Sequence, residues 1–405
     1  MSDHVITFNA GSSSVKFALF SIDAAGLLQR AAAGQVDGLG ADAHFKAQAA
    51  DGRTLHDDDL PAGELCGHGD ALDAILALIG AEFPRLQLAA VGHRVVHGAT
   101  HFTSSTVVDD EVLAALRALV PLAPLHLPTN IAGIEATRSA FPGVPQVACF
   151  DTAFHSGRGF LREAYALPRS HYDAGIRRYG FHGLSYEYIA RRLAELSPRE
   201  AAGRVIVAHL GNGASMCALQ AGRSVDTTMG YTALDGLPMG TRCGAIDPGV
   251  LLHLVGTQGY GAEQLSDLLY KESGLKGLSG LTHDMRELEA CDDPRAAEAI
   301  AYFCARIRRE AGALAASLGG LDAFVFTGGI GEHSARVRAA VLAELGWLGV
   351  AFDAAAPAQR ESGDRLISAS GSAVGAWVIA TDEEATIARH ALAVAAARVP
   401  QAQAA

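Results

Sequence analysis

Residues 4–22 alternate apolar and polar positions about a polar turn: VITFN, then AGSSS, then VKFALFSI. That period of two predicts a β-hairpin with one face against a core. The plan recurs at 204–228 as RVIVAHL, GNGAS, MCALQAG and RSVDTT. Two such hairpins half a chain apart predict an internal duplication, hence two related domains. Between them, 37–65 is polar and turn-rich and predicts irregular chain or short strands, whereas 70–82 has helical apolar spacing. LAAVGHRVVHG (88–98) reads as a buried strand whose end presents Arg94. A helix over 109–119 starts on acidic residues, as the macrodipole favours, and stops at PLAPLHLPTN. Helix resumes over IAGIEATRSAF, and the strand VPQVACF ends at Asp151. RRYGFHGLSYEYIARRL (177–193) runs from aromatics and glycine into a helix, with His182 just ahead of it. Residues 249–270 and 295–318 predict two further helices. DAFVFTGG with IGEHSARVRAAVLAEL, and GAWVIA with TDEEATIARHALAVAAA, each predict strand, turn and helix.

The chain has 405 residues, enough for two or three domains with their own cores. A formal charge of −12 and the lack of any basic run argue against a nucleic-acid or membrane-surface binder. Any anion must be met by local groups. No apolar run has membrane length and the N-terminus has no secretory pattern, so the expectation is a cytoplasmic protein. Cys66, Cys149, Cys217, Cys243, Cys291 and Cys304 are scattered without a C-x-x-C pair and read as reduced small hydrophobes.

The segment Asp226–Gly249, DTTMGYTALDGLPMGTRCGAIDPG, suits a shaped loop better than a packed element. Arg242 is its one Lys or Arg, so a phosphate gripped there would meet a single fixed guanidinium. Taken alone, the segment is equally a glycine-rich surface loop with a solvated arginine. The first hairpin turn, with Asn9, Gly11, Ser12, Ser13 and Ser14 ahead of Lys16, is equally an ordinary serine-rich turn. Asp151 sits at a strand end, where open α/β sheets place ligands. Asp382, Glu383 and Glu384 open a helix, as N-capping acids also do.

Several stretches together resemble the acetokinase family, within the group that includes sugar kinases, actin and the Hsp70 ATPase domain. They are NAGSSSVK (9–16), GHRVVHG (92–98), PLAPLH (121–126), FDTAFH (150–155), YGFHG (179–183), HLGNGAS (209–215), DTTMG through GTRCG (226–244), FTGGIGE (326–332) and TDEE (381–384). The resemblance runs almost end to end. It implies an α/β fold of two duplicated actin-like, ribonuclease H-like domains with an interdomain active-site cleft. The N-terminal domain would take 1–151 plus 385–405, and the nucleotide-binding domain 152–384. It implies reversible transfer of a phosphoryl group from ATP to acetate, giving acetyl phosphate and ADP, with Mg²⁺ (or Mn²⁺ as substitute), in a homodimer.

Residue by residue, the resemblance assigns the metal to Asn9 and Glu383, and catalysis to Arg94, Asp151, His182 and Arg242. Val96, Leu125, Phe181 and Ala233 would line the acyl pocket beside Arg94. The nucleotide falls to Lys16, to His209, Leu210, Gly211, Asn212 and Gly213, to Asp284, Met285 and Arg286, and to Gly329, Ile330, Gly331, Glu332 and His333. The chain departs from the family pattern in several places. Ala233 stands for a usual Pro, His333 for a usual Asn, and Asp382 for the Asn of an Asn-Glu-Glu turn. His126-Leu127-Pro128 replaces His-Asn-Pro, and Gly183-Leu184-Ser185-Tyr186 replaces Gly-Thr-Ser-His. A smaller residue at 233 leaves room for one more methylene, so propionate is expected as a second acceptor.

The chemistry agrees with those roles. A carboxylate is ionised near neutral pH and needs no base, so Asp151 is expected to position rather than deprotonate. The demand is to cancel repulsion between two anions, which two arginines, an imidazole and a divalent cation can meet. Three rivals stay open: an ATPase switch without an acceptor, a sugar kinase, and a hydrolase using Asp151, His182 and a serine. Apolar Val96, Leu125 and Phe181 speak against the second, and the lack of a nucleophile elbow against the third.

Overall fold

Both alternating hairpins form, and each seeds a sheet. In the computed structural model, residues 3–11, 14–39, 42–60, 67–352 and 363–397 are described. Ser12, Ser13 and Cys66 lie outside them. The first sheet uses β1 (His4–Ala10), β2 (Ser14–Ile22), β3 (Leu28–Asp37), β4 (Ala43–Ala49), β5 (Thr54–Leu60), β6 (Leu88–Val95), β7 (Thr106–Val107) and β8 (Gln146–Phe150). Their order is β5-β4-β3-β2-β1-β6-β8-β7. The second uses β9 (Arg204–Leu210), β10 (Ala214–Gln220), β11 (Arg223–Thr227), β12 (Ala323–Thr327), β13 (Arg365–Leu366) and β14 (Gly375–Val378), in the order β11-β10-β9-β12-β14-β13. Each sheet thus holds a run of three parallel strands, β1-β6-β8 in one and β9-β12-β14 in the other, flanked by antiparallel strands. The chain divides into two units, residues 1–154 with 382–405, and residues 155–381.

In the first unit the period of two decides which face each residue meets. Ile6, Phe8, Phe17 and Leu19 share a buried cluster with Ile75 and Ile79 of the helix His68–Glu82. The intervening positions face the helix Glu383–Ala396. Gly92, beside Thr7 across the β1–β6 pair, carries no Cβ because one would sit 2.6 Å from Ile387. Helix 383–396 packs on β1, β6 and β8, which is why Asp382, Glu383 and Glu384 belong to the first unit although 152–384 was expected to be one domain.

Two other expectations change. Regular strands, not irregular chain, run through the described part of 37–65, because β4 and β5 pair from Ala43–Leu60 to Gln48–Thr54 and β4 alternates buried Ala43, Phe45 and Ala47 with polar residues. The single helix expected over 249–270 is two, Pro248–Gln258 and Ala262–Lys271, since Gly259 ends the first with φ +72° in the left-handed region. No helix among the described residues is long and apolar enough to cross a membrane.

Candidate active site

In the first unit the parallel strands bring three polar side chains to neighbouring strand ends. Asn9 lies near the end of β1, Arg94 near the end of β6, and Asp151 directly after β8. This is the edge at which α/β sheets hold ligands. Arg94 donates through Nε and Nη2 to Asp151 Oδ2 at 2.9 and 2.5 Å, and through Nη1 to Asn9 Oδ1 at 3.4 Å. Asn9 Nδ2 donates to Glu383 Oε2 at 3.1 Å and to Glu384 Oε1 at 3.5 Å. The Arg94 guanidinium also lies 4.0 Å from Glu383.

Three carboxyl groups surround this one arginine. Burial pushes Asp151 up to about 6; Arg94 pulls the other way and Glu383 adds to the rise. Glu384 is likewise raised, by burial first and then by Glu383. Asp151 Oδ1 is buried without a hydrogen-bond partner among the described residues. An excess of buried negative charge and an orphaned carboxylate oxygen fit a divalent cation. The described residues hold no cluster of three or more His, Cys, Asp or Glu arranged as a cage. One or two protein oxygens, with water and phosphate completing the shell, is the usual Mg²⁺ arrangement.

In the second unit, His182 caps the helix Gly183–Leu196 with φ +57°, a conformation that costs a residue with a Cβ about 1 kcal/mol. Gly180 and His155 fix this turn. Gly180 has φ +81°, and a Cβ there would meet Thr227 and His155 within 2.8 Å. His155 Nε2 lies 2.9 Å from the Phe181 carbonyl and Nδ1 lies 2.8 Å from Ser224 Oγ. The carbonyl can only accept, so the His155 proton sits on Nε2. The His182 ring stacks on His209 with centroids 4.3 Å apart. Its Nδ1 lies 2.8 Å from Ser215 Oγ, while His209 Nδ1 lies 2.8 Å from Ser185 Oγ.

Arg242 approaches from the glycine-rich loop, its Nη1 donating to the Ala233 carbonyl at 3.1 Å. The loop is drawn in by the Gly240 N–H on the Asn212 carbonyl and by Gly274, whose Cβ would lie 2.1 Å from the Met239 carbonyl. The decisive geometry is at Gly213. A Cβ there would lie 3.3 Å from His182 Nε2 and 3.8 Å from Arg242 Nη1. An imidazole and a guanidinium therefore face one point that glycine keeps clear, which is a cradle for an anion.

Beside it lies a cavity of about 390 Å³ lined by Gly211, Asn212, His283, Asp284, Met285, Arg286, Glu289, Gly329, Ile330, His333 and Ser334. The three expected nucleotide segments thus meet around one space. Asp284 caps the helix Met285–Ala290 by accepting from the Arg286 N–H at 2.8 Å, and the Arg286 side chain holds its carboxyl down at about 2. Glu332 turns back to accept from the Gly328 N–H at 2.9 Å, and Gly331 is buried. Leu210 is core, and His209 bonds to Ser185 instead of lining the cavity. Lys16 belongs to the other unit, in a groove with Arg30, Lys46 and Glu384.

Of the four residues expected to set the acyl pocket, Val96 and Leu125 belong to the first unit and Phe181 and Ala233 to the second. Val96 and Phe181 are buried, Ala233 is half-buried, and Leu125 is 46% exposed. Val96 is held by the Asn130 side chain, which accepts from its N–H at 3.1 Å and donates to the Ala10 carbonyl at 3.3 Å. Asn130, His155, Ser185, Ser215, Tyr186 and Glu384 hold the site's side chains in place, and the sequence reading assigned none of them a site role. Five of the six lie inside or beside quoted motifs, so their position was the available signal.

The acetokinase family model matches residues 4–389. The chain belongs to the acetokinase family. It is 53% identical to an acetate kinase of Methylocella silvestris, over 97% of this chain and 98% of that one. Among solved structures it is similar to an acetate kinase of Porphyromonas gingivalis, with TM-score 0.85 and 36% identity, covering 97% of this chain and 99% of that one. A propionate kinase of Francisella tularensis superposes with TM-score 0.86 at 35% identity, covering 96% and 98%. Acetokinase membership carries the two-domain actin-like α/β fold and kinase activity.

Proposed function

We propose that the protein is an acetate kinase, transferring the γ-phosphoryl group of ATP reversibly to acetate to give acetyl phosphate and ADP. The observation that carries the reading is the point beside Gly213 faced by both His182 and Arg242, next to the cavity formed by the nucleotide segments. Arg242 and His182 stabilise charge on the phosphoryl group as it moves. Asp151 orients Arg94 toward the acceptor carboxylate, a role that its two hydrogen bonds to that guanidinium support. No base is required, since acetate is already ionised. Gly211, Asn212, Asp284, Met285, Arg286, Gly329, Ile330 and His333 hold the nucleotide, and Lys16 contributes charge from the first unit.

Asn9 and Glu383 would hold Mg²⁺, with Glu384 beside them. When bound, the ion supplies positive charge that offsets repulsion between the phosphates and the acceptor. Val96, Leu125, Phe181 and Ala233 set acyl-chain length. The propionate kinase likeness and Ala233 both support turnover of propionate as a second acceptor. A second copy of the chain is the expected partner. The helix Pro248–Gln258 has no buried residue although Val250, Leu252 and Val255 are apolar, so pairing with another copy would cover them. The five described cysteines are unpaired, in keeping with a cytoplasmic setting.

A hydroxylamine trap tests the function. With Mg-ATP and acetate, propionate or butyrate as separate acceptors, acyl hydroxamate should accumulate with acetate first and propionate second. ATP loss with no trapped acyl group would favour an ATPase switch instead.

A further inference from the structure

The side chains behind His182 form a directed chain of hydroxyls. Ser215 Oγ lies 2.8 Å from His182 Nδ1 and 2.5 Å from the Tyr186 hydroxyl. Ser215 and Tyr186 are both fully buried. Tyr186 packs its ring edge-on against His155 and His209, with centroids 5.6 and 6.5 Å away. Among the described residues, the Tyr186 hydroxyl meets Ser215 as its hydrogen-bond partner.

Two protons are shared along this chain, and only one direction satisfies it. If His182 Nδ1–H donated to Ser215, either the Ser215 or the Tyr186 hydrogen would be buried without an acceptor among the described residues. If Tyr186 donates to Ser215 and Ser215 donates to His182 Nδ1, every hydrogen is placed. Burial raises the phenol well above its ordinary value, so it stays protonated as this direction requires. With Nδ1 accepting, the neutral imidazole carries its hydrogen on Nε2. That is the nitrogen 3.3 Å from the point beside Gly213 that Arg242 also faces.

We propose that Ser215 and Tyr186 are positioning residues that fix His182 in its Nε2–H tautomer, so that it donates to the phosphoryl group beside Arg242. Ser215 sets the tautomer, and Tyr186 orients the serine and polarises its hydroxyl. The inference rests on the acetate kinase reading for its catalytic consequence, but the tautomer is a property of the protein without substrate.

The test uses full-length protein with ¹⁵N-labelled histidine and long-range ¹H–¹⁵N correlation, His182 being assigned from the H182Q spectrum. Wild type should show the Nε2–H pattern. S215A should gain Nδ1–H population and lose about tenfold or more in kcat, with KM for ATP and acetate within about twofold, as expected when a transition-state donor is mispositioned. S215T should restore both readouts. Y186F should keep the Nε2–H tautomer and lose only a few-fold in kcat. The double variant S215A/Y186F removes both hydroxyls together, leaves no orphaned hydroxyl, and should match S215A. An Nδ1–H pattern in wild type, or S215A with unchanged tautomer and kcat, would overturn the proposal. If wild type makes no acyl phosphate, the functional reading fails while the tautomer arm still decides the relay.

Discussion

Glycine at 213 is the residue whose replacement speaks most directly to the phosphoryl site. Its φ lies outside the left-handed region, and an added Cβ would meet His182 Nε2 at 3.3 Å, His182 Cε1 at 3.5 Å and Arg242 Nη1 at 3.8 Å. Those contacts ask the imidazole to move by a few tenths of an ångström, so G213A should fold. Replacing a glycine at a compatible backbone position stabilises by about 0.4–1 kcal/mol through the unfolded chain, which offsets the crowding. The methyl group, however, occupies the space that two donors share. Losing one preorganised donor to a developing charge costs about 10²–10³ in kcat, or about 3–4 kcal/mol. ATP affinity should change little, because the cavity lining on Asp284–Arg286 and Gly329–His333 is untouched. The assay is steady-state acyl phosphate formation with thermal unfolding alongside. A folded G213A with kcat within about twofold of wild type would show that the transferring group does not use this point.

Arg242→Ala should lower kcat by about 10³ while nucleotide affinity, measured by titration, shifts far less, since Arg242 does not line the cavity proposed for the nucleotide. An equal loss in both would contradict its role. Glu383→Gln should raise the Mg²⁺ concentration for half-maximal rate about tenfold or more, and chelation should abolish turnover of the wild type; an unchanged Mg²⁺ requirement would move the metal elsewhere. Stability should fall in mild acid for a stated reason. Burial holds His93 at about 4, and burial followed by Arg158 holds His155 at about 3, against an ordinary 6.5. Below pH 6.5 the unfolded chain takes up protons that the folded protein refuses, so stability is full above 6.5 and declines as pH falls toward 4 and then 3. His93 alone should cost about 2 kcal/mol between pH 8 and 5. Urea midpoints across that range measure it, and H93Q should flatten the slope; a wild-type midpoint independent of pH would refute the assignment.

The period-two hairpins made the duplication legible, because a half-buried strand next to a glycine turn leaves a pattern no helix shares. Arg94 and Asp151 were legible as strand-end residues for the same reason. The β4–β5 hairpin was hidden because His44, Lys46 and the run Asp57, Asp58 and Asp59 give its outer face a polar composition that reads as loop. The break at Gly259 was missed because the apolar spacing continues across it and only the backbone angle tells. In the site, charge and glycine placed Arg242 and Gly213. Ser215 and Tyr186 stayed silent, since a buried hydroxyl has no sequence signature until its neighbours are known. Lys16 followed its motif in sequence, and the sheet registers it opposite Asn9 in the first unit.

The central claim is that an ionised carboxylate attacks the γ-phosphorus of ATP on this protein. ³¹P NMR of the product formed from Mg-ATP and acetate labelled with ¹⁸O in both oxygens reads that step. The account predicts acetyl phosphate whose phosphorus signal shows the isotope shift of one bridging ¹⁸O, formed only when Mg²⁺ and acetate are both present. Unlabelled inorganic phosphate released without acetyl phosphate, at a rate indifferent to acetate, would contradict it.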